Sequence, residues 1–470
     1  MKFNYNVSIY QVLFSLSLII FAIYKWQFID LPLYWDEAWV YGPAVEEMVN
    51  NGVSLSPLAI RPEYSRGHPL LFHAIVAIWL KAFGVSVSTM HSFMLFISLI
   101  TFGFLFALIR LISDERAAFF GVCFVMLQPT IIEQSGQLYP EMSLALATVA
   151  ACYFYYKRSF WVYFTCATAA IMIKESGIVV IIAVSLFHFI SMRRSKETVL
   201  NSIQKSIKYL TPLLIWFIYL GSLKITYGWF LFPEHIGLIS FNPLIVWDKI
   251  EGYFVFVFIY HGSNFLITAG LLLIIYSIYK KKKLTFIIPF QIWMLVLFLV
   301  GFIVFGALNF YSSRYMTVAF LIYAVLFSTI IFSLNQHKWL LPLMVVILFG
   351  IQFELLKNKV NDEYYMSYVN PVECHEKAIG FALDNNLKNE KFYAFFLARE
   401  IMSKPVCGYV SNDEIFTNLQ SKQNDKSTYY LFSSFDTDEE EIAFQKTLNA
   451  EVIFRYEQKE NWVEIKRRID

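Results

Sequence analysis

The chain has 470 residues, of which 57% are hydrophobic and only 16% are charged, and its mean hydropathy is +0.53. Such a composition is typical of an integral membrane protein and excludes a soluble cytosolic enzyme. The formal net charge is only +2, but residues 357–470 carry 15 basic and 20 acidic side chains. We therefore expect a lipid-embedded body over residues 1–356 and a mildly acidic tail, with no surface basic enough for nucleic acid.

Apolar stretches long enough to cross a bilayer, allowing for tilt, recur eleven times before the tail. They lie near residues 7–25, 89–110, 117–136, 142–156, 160–173, 175–192, 209–226, 254–279, 285–307, 315–334 and 339–356. One further run, residues 69–83, contains His73 and Lys81 and is expected to lie in the membrane interface. The predicted fold class is a polytopic α-helical membrane protein with about 11 transmembrane helices and additional interfacial helices.

The positions of Lys and Arg predict how these spans are oriented. With eleven crossings and a cytoplasmic N-terminus, the short inner loops hold 15 basic residues and the longer outer loops hold eight. Basic residues are enriched in cytoplasmic loops, so this orientation is favoured. It makes the tail, residues 357–470, extracytoplasmic and puts a long loop of about residues 26–88 on the same side.

The tail pattern predicts a small α/β domain. A helix is expected after Pro371, and apolar alternation predicts strands at 392–397, 428–432, 452–456 and 462–465. Thr437 and Glu440 have capping-box spacing at the start of a second helix. In an oxidising compartment Cys374 and Cys407 could form a disulfide, although spacing alone cannot establish its geometry.

The long outer loop holds the densest set of reactive side chains. Asp36 and Glu37 lie there among aromatic residues, where partial desolvation equips a carboxylate to take a proton from a substrate. The alternative is that both acids only cap a helix. A short helix is expected over residues 42–51, with Val45, Met48 and Val49 on the membrane surface.

The same loop continues through Arg66, Gly67 and His68. Arg and His at the level of the lipid headgroups can bind a phosphate through charge-assisted hydrogen bonds, and glycine allows close approach of the backbone. Ordinary contact with headgroups is an equally open interpretation.

Further ionisable residues are expected at the same membrane boundary, where their gathering marks a candidate functional site. Each of them could instead form a structural ion pair. They are Glu133, Glu141, Lys174, Glu175, Glu234, His235, His261 and Arg314. The sequence has no GxGxxG, GxxxxGK[ST] or HExxH motif, so nothing in it indicates a nucleotide substrate.

The Asp36-Glu37 loop resembles that of the GT-C superfamily of polyprenyl-phosphate-sugar-dependent glycosyltransferases, specifically the bacterial relatives of protein mannosyltransferases and aminoarabinose lipid A transferases. The resemblance covers residues 1–356, the body. In that family a basic residue before proline and an interfacial helix follow the acidic pair, as in Gly67-His68-Pro69-Leu70. Asp36 matches the catalytic base, and His68 falls where aminoarabinose transferases have a phosphate-binding Lys. A histidine at this position makes phosphate binding sensitive to pH.

Three shorter elements extend the resemblance. Tyr139-Pro140-Glu141 resembles a second acidic site, which is normally Asp, and Ile173-Lys174-Glu175 resembles a family Lys at the start of a later span. Pro233-Glu234-His235-Ile236 resembles a Glu-His element that binds metal in some aminoarabinose transferases. A divalent metal cofactor at Glu234 and His235 therefore stays open, with a headgroup or structural role as the alternative.

The resemblance implies inverting transfer of a sugar from a polyprenyl-phosphate donor to a hydroxyl acceptor, which could be a lipid, a glycan or a protein, at the outer face of a bacterial inner membrane. Asp36 would deprotonate the acceptor, and Glu37 and Glu141 are the other candidate catalytic acids. The lipid phosphate would be neutralised by Arg66, His68, Lys174 and Arg314.

Two other classes of protein stay open. One is a transporter or flippase of lipid-linked sugars, and the other is an assembly or docking protein whose tail binds a partner. Transporters usually carry charges near the membrane midplane, whereas the charges here are expected at the outer edge, which favours an enzyme.

Overall fold

The computed structural model describes residues 7–260, 290–333, 368–421 and 426–469, with isolated positions between 263 and 279. These residues form a helical body up to Ser333 and a mixed α/β domain from Tyr368 onward. One cluster of buried apolar side chains runs through both parts, from Phe21 near the N-terminus to Ile465 in the last strand. The tail is therefore packed against the body.

Many helices of the body begin at a capping side chain or at a proline. The Ser86 and Asp114 side chains accept hydrogen bonds from the backbone N–H groups of Thr89 and Ala117, which would otherwise lack partners. Proline is favoured at a first turn because its missing N–H costs nothing there. The body helices are Ile9–Trp26, Gly42–Asn51, Pro62–Ser65, Leu71–Phe83, Val87–Ile112, Glu115–Met126, Pro129–Gln134, Pro140–Tyr156, Phe160–Ile173, Ile178–Arg194, Val199–Ile207, Pro212–Tyr227, Pro233–Leu238, Pro243–Phe258, Ile292–Leu308 and Thr317–Ser333.

Several of these helices confirm a membrane protein of the predicted helical class. Among the described residues, four are long and apolar enough to cross a bilayer, namely Ile9–Trp26, Val87–Ile112, Glu175–Arg194 and Ser313–Phe332. A pair of helices bent by 50° could form a fifth span. The predicted span at 339–356 and much of that at 254–279 lie outside the described residues, so the number of about 11 stays a prediction.

The predicted span at 117–136 is wrong in one respect, because the chain forms two helices there. Helix Glu115–Met126 ends before Gln128, which is extended with φ −72° and ψ 128°, and Pro129 begins a new helix. A residue that precedes proline is disfavoured in the α region, which explains the break. Because of this break, the following segment changes direction. Its Leu138 backbone N–H donates to the side chain of Glu37 in the Asp36 loop.

The interfacial run at 69–83 forms the helix Leu71–Phe83, whose 13 residues are too few to span a bilayer. The short helix Gly42–Asn51 has the predicted bounds. The prediction that Val45 and Met48 lie on the membrane surface is wrong, since both are fully buried. They are covered because this helix packs against Leu71–Phe83.

The tail contains a mixed sheet and the helices Val369–Asp384, Phe396–Ser403 and Glu439–Thr447. Its strands are β1 Phe392–Ala394, β2 Leu419–Gln420, β3 Tyr429–Ser433, β4 Ala450–Gln458 and β5 Asn461–Arg468, in the order β2-β1-β3-β5-β4. β1 is parallel to β2 and β3, whereas β5 is antiparallel to β3 and β4. The small sheet domain confirms the predicted α/β class of the tail.

Two local predictions for the tail are wrong. The run at 392–397 is a strand only to Ala394, because a helix begins at Phe396. The first N–H groups of this helix, those of Leu397 and Ala398, donate hydrogen bonds to the buried Asp436 carboxylate. The next helix is capped by Asp438, which accepts from the Glu441 N–H at 2.7 Å, so Thr437 is not the capping residue. At the start of both helices, an aspartate carboxylate therefore accepts hydrogen bonds from the backbone N–H groups.

The structure does not contain the disulfide that the sequence left open. Cys374 and Cys407 are both free thiols and both are buried. The Cys374 thiol donates to the carbonyl oxygen of Asn461 within the tail, and the Cys407 thiol donates to that of Ala38 in the body. The two thiols thus donate hydrogen bonds to different parts of the protein.

Candidate active site

Asp36 lies on a loop whose backbone is unusual on both sides of it. Trp35 has φ 52°, in the left-handed region that residues with bulky side chains rarely adopt. Residues Glu37–Tyr41 form a single π-helical turn, a rare element that often occurs at functional sites. Both features cost conformational energy, so the surrounding structure must hold them in place.

Glu37 anchors this loop from inside the protein. Its side chain is fully buried, and Oε1 accepts from the Leu138 backbone N–H and lies 3.2 Å from Nε2 of His91. The other oxygen accepts from the Tyr34 N–H at 3.4 Å. His91 Nδ1 in turn lies 3.1 Å from the carbonyl oxygen of Ile29. The second acid of the predicted pair therefore connects three segments of the chain.

Asp36 is one end of a chain of alternating charges. Arg314 Nη2 lies 2.5 Å from Asp36 Oδ2, and Arg314 Nε lies 3.7 Å from Glu141 Oε1. Lys174 Nζ donates to the same Glu141 oxygen at 2.6 Å. The Asp36 side chain is 18% exposed, whereas that of Glu141 is 3% exposed. Four predicted site residues thus form one network, and Asp36 is its more accessible acid.

Two tyrosine rings lie beside the cations of this network. Lys174 Nζ is 3.9 Å from the centroid of the Tyr315 ring, and the Arg314 guanidinium is 4.8 Å from that of Tyr139. The electron-rich face of an aromatic ring attracts a cation, so these contacts help to hold both side chains. Burial, with the nearby charge of Glu37, raises the pKa of Tyr139 well above its usual value and keeps the phenol neutral.

Arg66 and His68 form a second group of charges. His68 Nδ1 lies 2.9 Å from Glu175 Oε2, and Arg66 Nη2 lies 3.4 Å from Glu234 Oε2. The Arg66 guanidinium also stacks over the Trp39 ring at 5.0 Å. Both predicted phosphate ligands thus have acidic partners.

Gly67 explains how these two side chains can lie so close to a neighbouring segment. Its φ is 74°, and a Cβ there would meet side-chain atoms of both Trp229 and Phe232 at 3.1 Å. Only glycine combines this conformation with such close packing at low cost. Residues 229–235 are thereby brought against the Arg66–His68 turn.

The predicted metal element, Glu234 and His235, lies at this contact. The His235 ring is 4.9 Å from the His68 ring, and the Glu234 side chain is 71% exposed. Burial lowers the pKa of His235 to about 4, with the charges of His68 and Arg66 adding to the effect, so its imidazole is neutral at neutral pH. Within the described ranges, no three His, Cys, Asp or Glu side chains come close enough to hold a metal ion. Glu234 and His235 alone form an incomplete donor set.

A cavity of about 350 Å³ lies between the two groups of charges. Arg66, His68, Glu141, Lys174 and Glu175 line it, together with apolar side chains such as Leu144, Phe302 and Val318. One oxygen of the buried Glu141, Oε2, has no hydrogen-bond partner among the described residues. A largely apolar cavity with a few convergent charges suits an amphiphilic ligand that carries an anionic group.

Two contributors to this region were not among the predicted site residues: His91 and Tyr315. His91 binds Glu37, and the Tyr315 ring contacts Lys174. An ionisable residue within an apolar span is itself a signal, and that signal could have identified His91. The Tyr315 ring gave no such signal, since tyrosine is common in membrane proteins.

Comparisons with known proteins support a relationship with one group of enzymes. Residues 67–223 match the family model described as dolichyl-phosphate-mannose-protein mannosyltransferase. No curated protein matches the sequence significantly.

Solved structures show the shared fold. The chain is similar to ArnT from Cupriavidus metallidurans, in the apo state and bound to undecaprenyl phosphate, with 14% identity, a TM-score of 0.57 and 97% of both chains covered. An oligosaccharyltransferase of Archaeoglobus fulgidus is 10% identical, with a TM-score of 0.48 and coverage of 83% of this chain and 61% of that chain. The family match over residues 67–223 and the ArnT-like fold confirm the predicted resemblance of this chain to the GT-C superfamily of polyprenyl-phosphate-sugar-dependent glycosyltransferases.

Proposed function

We propose that this chain is an inverting glycosyltransferase that moves a sugar from a polyprenyl-phosphate-linked donor to a hydroxyl acceptor. The observation that carries the proposal is the cavity between apolar helices. It is lined by Arg66, His68 and Lys174 and is connected through Glu141 and Arg314 to Asp36. A polyprenyl phosphate has the matching chemistry, an anionic head on a hydrocarbon tail. One ArnT structure with the same fold is bound to undecaprenyl phosphate, which supports this class of donor.

Asp36 is proposed as the general base. Its carboxylate is partly exposed and lies on the strained loop, so an acceptor hydroxyl can reach it. As Asp36 takes the hydroxyl proton, the acceptor oxygen forms a bond to the anomeric carbon. The bond from that carbon to the phosphate oxygen breaks on the opposite side, which inverts the anomeric centre. The proton ends on Asp36 and the electron pair on the departing lipid phosphate.

The departing phosphate gains negative charge, and Arg66, His68 and Lys174 are proposed to neutralise it. Glu141 is paired with Lys174, and Glu175 lies within hydrogen-bond distance of His68. A phosphate entering the cavity would compete with these carboxylates for the same donors. Glu141 would then hold Arg314 in place, and Arg314 would orient Asp36.

We further propose a division into a membrane body, residues 1–356, and an extracytoplasmic domain, residues 357–470, with the site in the outer loop of about residues 26–88. The contact between Cys407 and Ala38 supports a tail on the same side of the membrane as Asp36. The distribution of Lys and Arg supports the outer face of a bacterial inner membrane. The acceptor would then be a lipid, glycan or protein of the cell envelope.

The decisive experiment is a transfer assay with purified protein in lipid nanodiscs. A polyprenyl-phosphate sugar labelled in both the sugar and the lipid is supplied with envelope acceptors. We expect release of free polyprenyl phosphate together with labelled acceptor, and loss of both products with Asp36→Asn. A flippase would move the donor between leaflets of a vesicle without releasing polyprenyl phosphate, and a docking protein would do neither. Either of those results would reject the proposed function.

A further inference from the structure

The tail domain contacts the Asp36 loop on both sides of Asp36 through one residue, Cys407. The Leu33 backbone N–H donates to the Cys407 carbonyl oxygen at 2.9 Å. The Cys407 thiol donates to the carbonyl oxygen of Ala38 at 3.4 Å. Cys407 therefore bridges the segment before Asp36 and the π-helical turn after it.

Aromatic contacts reinforce this bridge. Phe396 of the tail packs edge to face against Trp39 at 5.0 Å and against Trp35 at 6.0 Å between ring centroids. Tyr368 stacks on Tyr34 at 6.4 Å. The tail thus touches the ring of Trp35, the residue with the left-handed backbone conformation next to Asp36.

Gly408 permits the close approach of the tail to the body. Its φ is 89°, and a Cβ at this position would lie 2.8 Å from Val87 Cγ2 and 3.5 Å from Pro32 Cα. A side chain at 408 would therefore strain the turn and also push it away from the loop.

We infer that the tail segment from Phe396 to Gly408 is a positioning element of the active site, which holds the Trp35–Asp36 backbone so that Asp36 stays against Arg314. A strained conformation persists only where neighbouring groups over-determine it, and the Cys407 and Phe396 contacts supply that constraint. The catalytic consequence rests on the proposed function, whereas the control of the loop geometry does not. A shift of about 1 Å in a reacting group can lower a rate roughly 10²-fold, so the expected effect is large.

Two variants weaken the contact in different ways, and two serve as controls. Gly408→Ala introduces the clash with Val87, and Phe396→Ala removes both ring contacts. Phe396→Tyr keeps the aromatic ring, so its labelling rates should equal those of the wild type. Gly380→Ala is the matched control, because a Cβ at this helical position in the tail meets nothing within 4 Å.

Two labelling reactions on the full-length protein report the geometry without needing activity. Burial raises the pKa of the Cys407 thiol to about 12, so we expect N-ethylmaleimide to modify it slowly in the wild type. Carbodiimide with an amine nucleophile labels accessible carboxylates and reports whether Asp36 leaves Arg314. Mass spectrometry of the peptides that contain Cys407 and Asp36 measures both.

We expect Gly408→Ala and Phe396→Ala to increase both labelling rates several-fold, with Phe396→Tyr and Gly380→Ala like the wild type. In an active enzyme, transfer should fall about 10²-fold while donor affinity is unchanged. Faster Cys407 modification without a change at Asp36 or in transfer would show that the tail does not position the loop. Unchanged labelling in both weakened variants would also overturn the inference. If the wild type transfers no sugar, the proposed function fails, and the two labelling rates still decide whether the tail positions the loop.

Discussion

Arg314 and Asp36 are 278 residues apart in the sequence, yet Arg314 Nη2 lies 2.5 Å from Asp36 Oδ2. Arg314 was predicted to bind the lipid phosphate, whereas its partners in the structure are Asp36 and Glu141. A guanidinium presents several donors in a rigid plane, so it can fix the orientation of one carboxylate while contacting another. We therefore expect Arg314 to orient Asp36, the proposed base.

Asp36→Asn should leave donor binding intact and lower transfer by roughly 10²–10⁴-fold, the usual range for a lost acid–base group. The amide keeps the size of the side chain but cannot take the proton. Single-turnover transfer and donor binding, measured separately, check this expectation.

Glu37→Gln is the neighbouring control. Glu37 is buried and binds His91 and Leu138, so its change should cost about 1–3 kcal/mol of unfolding free energy and reduce transfer less than Asp36→Asn does. A normal rate for Asp36→Asn, together with no transfer by Glu37→Gln or Glu141→Gln, would show that Asp36 is not the base.

Lys174→Met should weaken donor binding by about 10- to 100-fold, because a charge-assisted hydrogen bond is worth roughly 1.5–3 kcal/mol. Lys174→Arg keeps the charge and should bind more tightly than Lys174→Met. Lys224→Met is the matched control, since Lys224 Nζ donates to the Gly228 carbonyl oxygen at 2.6 Å, away from the residues that line the cavity. Equal donor affinity for Lys174→Met and the wild type would remove Lys174 from the phosphate site.

Exhaustive chelation should leave transfer unchanged. The Glu234 carboxylate lies 3.4 Å from the Arg66 guanidinium, and the adjacent His235 imidazole is neutral. A divalent cation held by this pair would therefore meet a repelling guanidinium and an incomplete donor set. Transfer is measured after dialysis against a chelator and again after addition of Zn²⁺ or Mg²⁺. The metal site that the sequence left open would be established by two results together. Transfer would be lost on chelation and restored by added metal, and the restoration would fail in His235→Ala.

The stability of the tail should depend on the protonation of Asp436. Burial raises the pKa of Asp436 to about 6, although the N–H groups of Leu397 and Ala398 oppose the shift. A carboxyl group whose pKa is higher in the folded than in the unfolded state stabilises the fold below its unfolded pKa, and that contribution is lost as the pH rises through about 6. We expect thermal unfolding of the full chain to show a decline of about 1–3 kcal/mol between pH 4 and pH 7.

Asp436→Asn should remove most of this pH dependence, because the amide oxygen can still accept from both N–H groups but does not titrate. Stability that instead increases from pH 4 to pH 7 in the wild type and not in Asp436→Asn would show that the ionised carboxylate is the favoured form.

The side of the membrane on which the tail lies can be tested directly. A reporter that is active only in the cytoplasm, fused after Lys357, should be silent, because the basic residues favour an outer tail. The same reporter fused after Lys196, in a predicted inner loop, is the positive control. Activity after Lys357 would overturn the eleven-span orientation.

The sequence predicted the class of the protein and the residues of the candidate site, but it did not predict which of these residues contact one another. Asp36, Glu141, Lys174 and Arg314 were recognised as ionisable residues at span ends, and they form one network. Their pairing could not be predicted, since it depends on how four distant helices pack. The burial of Val45 and Met48 was missed for a similar reason, because amphipathic helices look alike whether lipid or protein covers them.

By itself, the sequence determined that the chain is a helical membrane protein with an α/β tail, because hydropathy and periodicity are local properties. It also predicted a resemblance to polyprenyl-phosphate-sugar-dependent glycosyltransferases, through short motifs around Asp36 and His68. Only the tertiary structure decided that Glu37 is an internal anchor, that Cys407 bonds to the Asp36 loop and not to Cys374, and that Arg314 pairs with Asp36. These contacts join residues far apart in the chain, and their geometry exists only once the helices and the tail have packed together.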